Sequence, residues 1–133
     1  MSDNRFAPLI AHLADHTWQY LSDTENHLRW KTLVGGPEAT TKGMSFGICE
    51  LPTGARLPPH HHAEDEIYFI VEGAGEVLLD DKIVPVTSGS VLFVPGNLVH
   101  GVRNDSETRL TLLWMFAVDR WSEVEYHGAD RVF

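Results

Sequence analysis

The chain has 133 residues, 43% of them hydrophobic, and a formal charge of −9 with its eight histidines neutral. That length suits one domain with an ordinary core. The negative balance argues against tracking a phosphate backbone or an anionic membrane surface, so neither nucleic acid nor membrane is expected as a partner. The single cysteine, Cys49, rules out an intrachain disulfide and fits a reducing compartment. The start of the chain shows no basic segment followed by an apolar run, so no signal peptide is expected. No uncharged apolar stretch is long enough to span a bilayer. A cytoplasmic protein is the expectation.

In chain order, DNRFAPLIAHLADH places Phe6, Leu9, Ile10 and Leu13 on one helical face, with Asp3 or Asn4 available as a cap and Pro8 near the start. It predicts a short amphipathic N-terminal helix, within a helical segment over 1–27 that packs on the remainder. SDTEN is turn chemistry. From Leu28 the pattern changes to short apolar runs: LRWKTLV, GMSFGICEL, EIYFIVEG, GEVLLDD, KIVPV, SVLFVPG, VHGVRN and TRLTLLWMFAV. They are separated by Gly, Pro, Asp and Asn. Such runs predict an all-β sandwich or barrel over 28–133. LLDDKIV reads as a tight hairpin with Asp80 and Asp81 near its turn. In TRLTLLWMFAV both faces are mainly apolar, Leu110, Leu112, Trp114 and Phe116 on one and Thr111, Leu113 and Met115 on the other. That strand is expected to be covered on both sides, by the N-terminal helix or by a second subunit in a homodimer.

The stretch LPPHHHAEDEIYFIVEGAGE carries the chemistry. Side chains in an extended segment alternate faces, so His60 and His62 share a face and His61 points away. Glu66 rejoins that face after the bend at AED, and Tyr68 follows it one strand period on. One more histidine from another strand, offered by His100 in VPGNLVHGVRN, would complete a set of three imidazoles and one carboxylate. Such a set suits one divalent transition metal, Fe(II), Mn(II), Ni(II), Zn(II) or Cu(II), and leaves positions open for a substrate. Glu64 and Asp65 read as solvated surface acids. His12, His16, His27 and His127 have no partner at ligand spacing.

These residues resemble the cupin family. Gly54, His60, His62, Glu66 and Gly73 match its first motif, and Gly89, Pro95, His100 and Asn104 match its second. One position departs: Asn97 stands where the family has glycine. Glycine serves a turn of positive φ there, and asparagine is the next most tolerant residue. The resemblance implies a small jelly-roll barrel (the double-stranded β-helix, RmlC-like), with the metal inside, held by His60, His62, Glu66 and His100.

A narrower resemblance rests on LRWKTLVGG and LLWMFAVDRWSEVEYHGADRV. These segments are similar to the small single-domain cupin lyases that cleave dimethylsulfoniopropionate to dimethyl sulfide and acrylate. It implies Tyr68 as the catalytic base and Tyr126 as a second pocket tyrosine. The elimination is chemically coherent with the site: a cation beside Tyr68 favours its ionisation, and a sulfonium favours aromatic neighbours such as Trp30, Trp114, Trp121 and Tyr126. The competing reading of Tyr68 is a core tyrosine, and that of the tryptophans is core or interface packing. Two other functions share the ligand set: an Fe(II)-dependent dioxygenase, and a non-catalytic metal- or small-molecule-binding cupin. A small carboxylate is the expected substrate class.

Overall fold

A computed structural model describes residues 8–21, 26–38, 40–131 and 133. Among the described residues eleven strands are formed: β1 Gln19–Tyr20, β2 Arg29–Val34, β3 Ser45–Leu51, β4 Arg56–His61, β5 Glu66–Glu72, β6 Ala74–Leu79, β7 Lys82–Thr87, β8 Val91–Val94, β9 His100–Arg103, β10 Leu110–Phe116 and β11 His127–Gly128. They build one sheet in the order β1-β2-β3-β10-β5-β8 and a second in the order β11-β4-β9-β6-β7. Every strand pair is antiparallel. The expected all-β jelly roll is therefore the observed architecture. No helix among the described residues is long and apolar enough to cross a membrane.

Strand alternation fills the interior. In β5, Glu66, Tyr68 and Ile70 are buried while Ile67, Phe69 and Val71 are exposed, as a period of two requires. Leu110, Leu112, Trp114 and Phe116 of β10 face the same core. The β6–β7 hairpin closes with Leu79 opposite Lys82, and Asp80 takes a φ of 58° in its turn. Asn97 has a φ of 67°, the left-handed conformation expected from its departure from glycine. Gly73 has no substitute at its turn, because a Cβ there would lie 2.3 Å from the carbonyl oxygen of Arg109.

Asn104 is a structural residue. It is fully buried, and its Nδ2 donates to the carbonyls of Leu51 and Thr108 while its Oδ1 accepts from the amide and hydroxyl of Ser106. This closes the β9–β10 connection with every polar atom of the side chain engaged.

The N-terminus departs from expectation. Leu9 and Ile10 form no helix and are exposed, and the described residues before β1 hold a single 3-10 turn, Leu13–Asp15. Asp3, Asn4 and Phe6 lie outside the described residues. The apolar spacing is real, but a segment this short is marginal as an isolated helix, and Pro8 brings no amide donor to it. His12, set aside as a histidine without a ligand partner, caps the turn: its Nδ1 accepts from the amide of Ala14. The segment is fastened to the barrel by polar contacts instead of an apolar face. Lys31 Nζ donates to the carbonyl of Leu13, and the Trp18 ring lies under the Arg29 and Lys31 cations.

Candidate metal centre

Two sheets contribute the site. His60 lies near the end of β4 and faces His100, the first residue of β9, in register. β5 begins with Glu66 in the opposite sheet. The β4–β9 ladder shifts register between Leu57 and His60. Pro58 and Pro59 occupy that interval, and proline cannot donate to a ladder, so the strand bulges there and re-aims His60 inward. His62 follows β4 in a bend that two bonds pin to the β8–β9 loop. The Asn97 amide donates to the carbonyl of His62, and the Gly96 amide to Asp65 Oδ1. Gly96 permits this approach, since a Cβ would sit 2.1 Å from the Ala63 carbonyl oxygen.

The structure brings His60, His62, His100 and Glu66 together, all buried. One ligating nitrogen from each histidine lies within 4.8 Å of the others. Glu66 Oε1 stands 3.1 Å from His62 Nε2 and 3.2 Å from His100 Nε2. Each imidazole turns Nδ1 to a backbone carbonyl: His60 to Pro58 at 2.7 Å, His62 to Glu64 at 3.0 Å and His100 to Leu98 at 2.8 Å. A carbonyl only accepts, so Nδ1 carries a proton and Nε2 is the atom turned inward, able to offer its lone pair to a cation once any proton shared with Glu66 has left. His60 Nε2 is buried with no partner. Three converging Nε2 atoms, one of them without a hydrogen-bond partner, and an adjacent carboxylate fit a divalent cation.

The electrostatics agree with that fit. Burial, aided by the neighbouring His100, lowers the His60 pKa to about 4, so its imidazole stays neutral at physiological pH. For His62, burial acts downward, but the hydrogen bond and charge of Glu66 outweigh it and the pKa is raised. Glu66 is held below its ordinary value because the bonds from His100 and His62 outweigh its burial.

A cation must displace the proton that His62 Nε2 shares with Glu66. Metal binding below the elevated His62 pKa should therefore release a proton from His62. The release should fade as pH rises above the elevated His62 pKa, where the imidazole is already neutral. Calorimetric titration of the metal in buffers of different ionisation enthalpy measures it. Release that grew with rising pH would contradict the assigned proton.

Of the remaining site candidates, Tyr68 and Tyr126 are both present. The Tyr68 ring centroid lies 6.0 Å from that of His100, and the Tyr126 ring lies 5.4 Å from His60 and 5.3 Å from His62. In the absence of a cation both phenols are pushed up, first by burial and then by the charge on Glu66. The metal centre opens into a cavity of about 380 Å³ lined by His60, Glu66, Tyr68, Trp30, Trp114, Trp121 and Tyr126 together with aliphatic side chains and Cys49. Among the described residues, no lysine or arginine lines it. Trp121 Nε1 donates to Tyr126 Oη at 3.0 Å, and the Trp121 ring packs within 5.9 Å of Trp30 and 6.1 Å of Trp114. Three tryptophans left open between core and ligand are thus a connected wall.

His61 stays outside. It stacks on His127 of β11 at 5.2 Å, directly opposite it in register. His16 and His27 join no site. Two acids differ from expectation. Asp65 is exposed but structural, through its bond to Gly96. Glu64 is half-buried, with Oε1 enclosed and without a hydrogen-bond partner, because the bend that presents His62 turns it inward. Cys49 in the cavity wall was not singled out as a site residue; its burial on the inner face of β3 follows from alternation, which also pushes its thiol pKa up.

A family model described as a cupin domain matches residues 47–116. The chain is a cupin. This cupin is 35% identical over 103 residues to dimethylsulfoniopropionate lyase DddW of Ruegeria pomeroyi, a match covering 77% of the chain and 67% of the lyase. It is 34% identical over 73 residues to an oxalate-binding protein of Thermotoga maritima, covering 54% of the chain and 60% of that protein. Among solved structures, the polyketide cyclase RemF of Streptomyces resistomycificus superposes with a TM-score of 0.78 at 16% identity, covering 95% of this cupin and 88% of RemF. That likeness carries the fold.

Proposed function

We propose that this cupin is a metal-dependent lyase acting on a small carboxylate, and at its most specific that it eliminates dimethyl sulfide from dimethylsulfoniopropionate to leave acrylate. The observation that carries the reading is the cavity: a three-histidine, one-glutamate set and two tyrosines stand at an aromatic space with no cationic side chain among the described residues of its lining. The relationship to the Ruegeria lyase supports it. A divalent metal in the site, Fe(II), Mn(II), Ni(II) or Zn(II), would polarise the substrate carboxylate and stabilise the charge that develops beside it. Tyr68 Oη, as the phenolate that a bound cation would favour, takes the proton α to the carboxylate. The C–H electrons form the carbon–carbon double bond, and the carbon–sulfur pair leaves with dimethyl sulfide. The indole faces of Trp30, Trp114 and Trp121 receive the sulfonium, where a cationic residue would repel it. Tyr126, between the histidines and Trp121, returns the proton to solvent and closes the site over the substrate. The test is acrylate formation from dimethylsulfoniopropionate by the purified protein loaded with each metal in turn, without oxygen. No acrylate with any metal would sink the lyase reading, and oxygen uptake with a candidate substrate would favour an Fe(II) dioxygenase.

A second reading is favoured by one observation. Burial holds the Tyr68 phenol protonated unless a nearby cation opposes it. A site of this kind that binds a carboxylate without turning it over would be a non-catalytic binding cupin, and the similarity to an oxalate-binding protein accords with it. Stable metal loading with no turnover would select it.

We also infer a homodimer. On the outer face of the larger sheet, Ile67 lies opposite Phe93 and Phe69 opposite Val91, all exposed, at the sheet edge formed by β8. Leu113 and Met115 of β10 continue the apolar surface next to them. The described part of the N-terminal segment makes its contacts at β2, through Leu13, Trp18 and β1, on the far side of the sheet from β8, so this patch is left for a second copy. Light scattering should give twice the 14.9 kDa of one chain, and Phe93→Glu should halve it. A monomer mass for the unmodified protein would contradict the dimer.

A further inference from the structure

The cavity is larger than dimethylsulfoniopropionate requires. Its volume is about 380 Å³. At about 30 Å³ per water, that is room for about a dozen waters. Dimethylsulfoniopropionate has five carbons, two oxygens and one sulfur, and bonded atoms pack more closely than waters. It would leave a large part of the space empty.

Strand register shows where the surplus lies. Glu66 pairs with Phe116 at the metal end, and Tyr68 pairs with Trp114 one period further along. Leu112, also in the cavity wall, pairs with Ile70, four residues along β5 from Glu66, and with Cys49 across β3. At about 3.3 Å per residue this level is about 13 Å from the metal end. Leu51, paired with Leu110, lies deeper still. Dimethylsulfoniopropionate, with bonds of about 1.5 Å, spans about half of that depth. Beyond Tyr68 and Trp114 the walls include Leu28, Cys49, Leu51, Val102 and Leu112, all buried and uncharged, while Trp30, paired with Cys49, packs its ring back against Trp121.

We propose that this deep apolar compartment is a second subsite, and that the ligand it selects is a carboxylate bearing a bulky alkyl or aromatic group beyond the β-carbon. The proposal rests on the reading that the carboxylate end sits at His60 and Glu66. The polar end fixes one terminus of the ligand, and the apolar end rewards each buried carbon. An apolar compartment filled by ligand gains contacts that its walls otherwise lack.

The test is calorimetric titration of the zinc-loaded protein with propionate, pentanoate and 3-phenylpropionate. Affinity should climb along the series, with 3-phenylpropionate bound at least tenfold more tightly than propionate. Leu112→Phe, which fills the deep compartment, should bring the two within about threefold. The unmodified protein decides the matter alone if that variant does not fold. A flat or falling series, or no binding of any of the three acids, overturns the proposal. A rising series with no turnover of dimethylsulfoniopropionate removes the lyase reading and leaves the subsite standing. Turnover with a flat series does the reverse.

Discussion

Replacing His62 with alanine should leave the purified protein with almost none of the metal that the unmodified chain retains. His62 supplies one of three Nε2 lone pairs that converge within 4.8 Å, and its Nδ1 is already committed to the Glu64 carbonyl. Removing it breaks the chelate and leaves Glu66 with one imidazole contact, from His100. Glu66→Ala should act the same way, because it removes the carboxylate of the set and leaves the three imidazoles without an anionic ligand beside them. Loss of even an outer-shell partner costs about 10- to 100-fold in metal affinity, and loss of a ligand should exceed that. His61→Ala is the control, since His61 faces outward onto His127 and should keep full metal content. Elemental analysis after dialysis measures all three. Undiminished metal in His62→Ala or Glu66→Ala would refute the ligand set.

Tyr68→Phe should keep the metal and lose the elimination. The phenol is buried one strand period from Glu66, and its ring lies beside His100. General-base contributions are typically 10²–10⁴-fold, so turnover should fall by about that factor while substrate binding changes little. The pH dependence gives an independent sign. Without a cation, burial and the charge of Glu66 push the Tyr68 pKa up. A cation held by the histidines acts the other way and favours the phenolate. Activity of the loaded enzyme should therefore rise with pH on the alkaline side of neutrality, and that limb should be absent in Tyr68→Phe. Turnover unchanged by the substitution would remove Tyr68 from the chemistry.

Much of the barrel is legible in the sequence because strand alternation is a local property. Glu66, Tyr68 and Ile70 could be assigned to the core, and Ile67, Phe69 and Val71 to the outside, from period alone. The same rule separates His60 and His62 from His61. The turn residues Asp80 and Asn97 are legible because only a few side chains accept positive φ. The N-terminus was not, since helical spacing of Leu9, Ile10 and Leu13 says nothing about whether an apolar surface waits to receive them. In the fold, the neighbouring outer-face position carries Lys31, whose ammonium takes the Leu13 carbonyl. Nor were Asp65 and Glu64 legible. Their roles depend on the approach of the 96–97 loop, which is a tertiary event. The tryptophan wall is of the same kind: Trp30, Trp114 and Trp121 come from three distant segments, and only packing reveals that they line one cavity.

The most direct test of the account is headspace detection of dimethyl sulfide from the purified protein supplied with dimethylsulfoniopropionate. The protein is stripped by chelation and then reloaded with Fe(II), Mn(II), Ni(II) or Zn(II). The account predicts no release from the stripped protein, release on reloading with at least one metal, and no release from Glu66→Ala under any condition. Fully loaded protein that releases no dimethyl sulfide with any of these metals would contradict it.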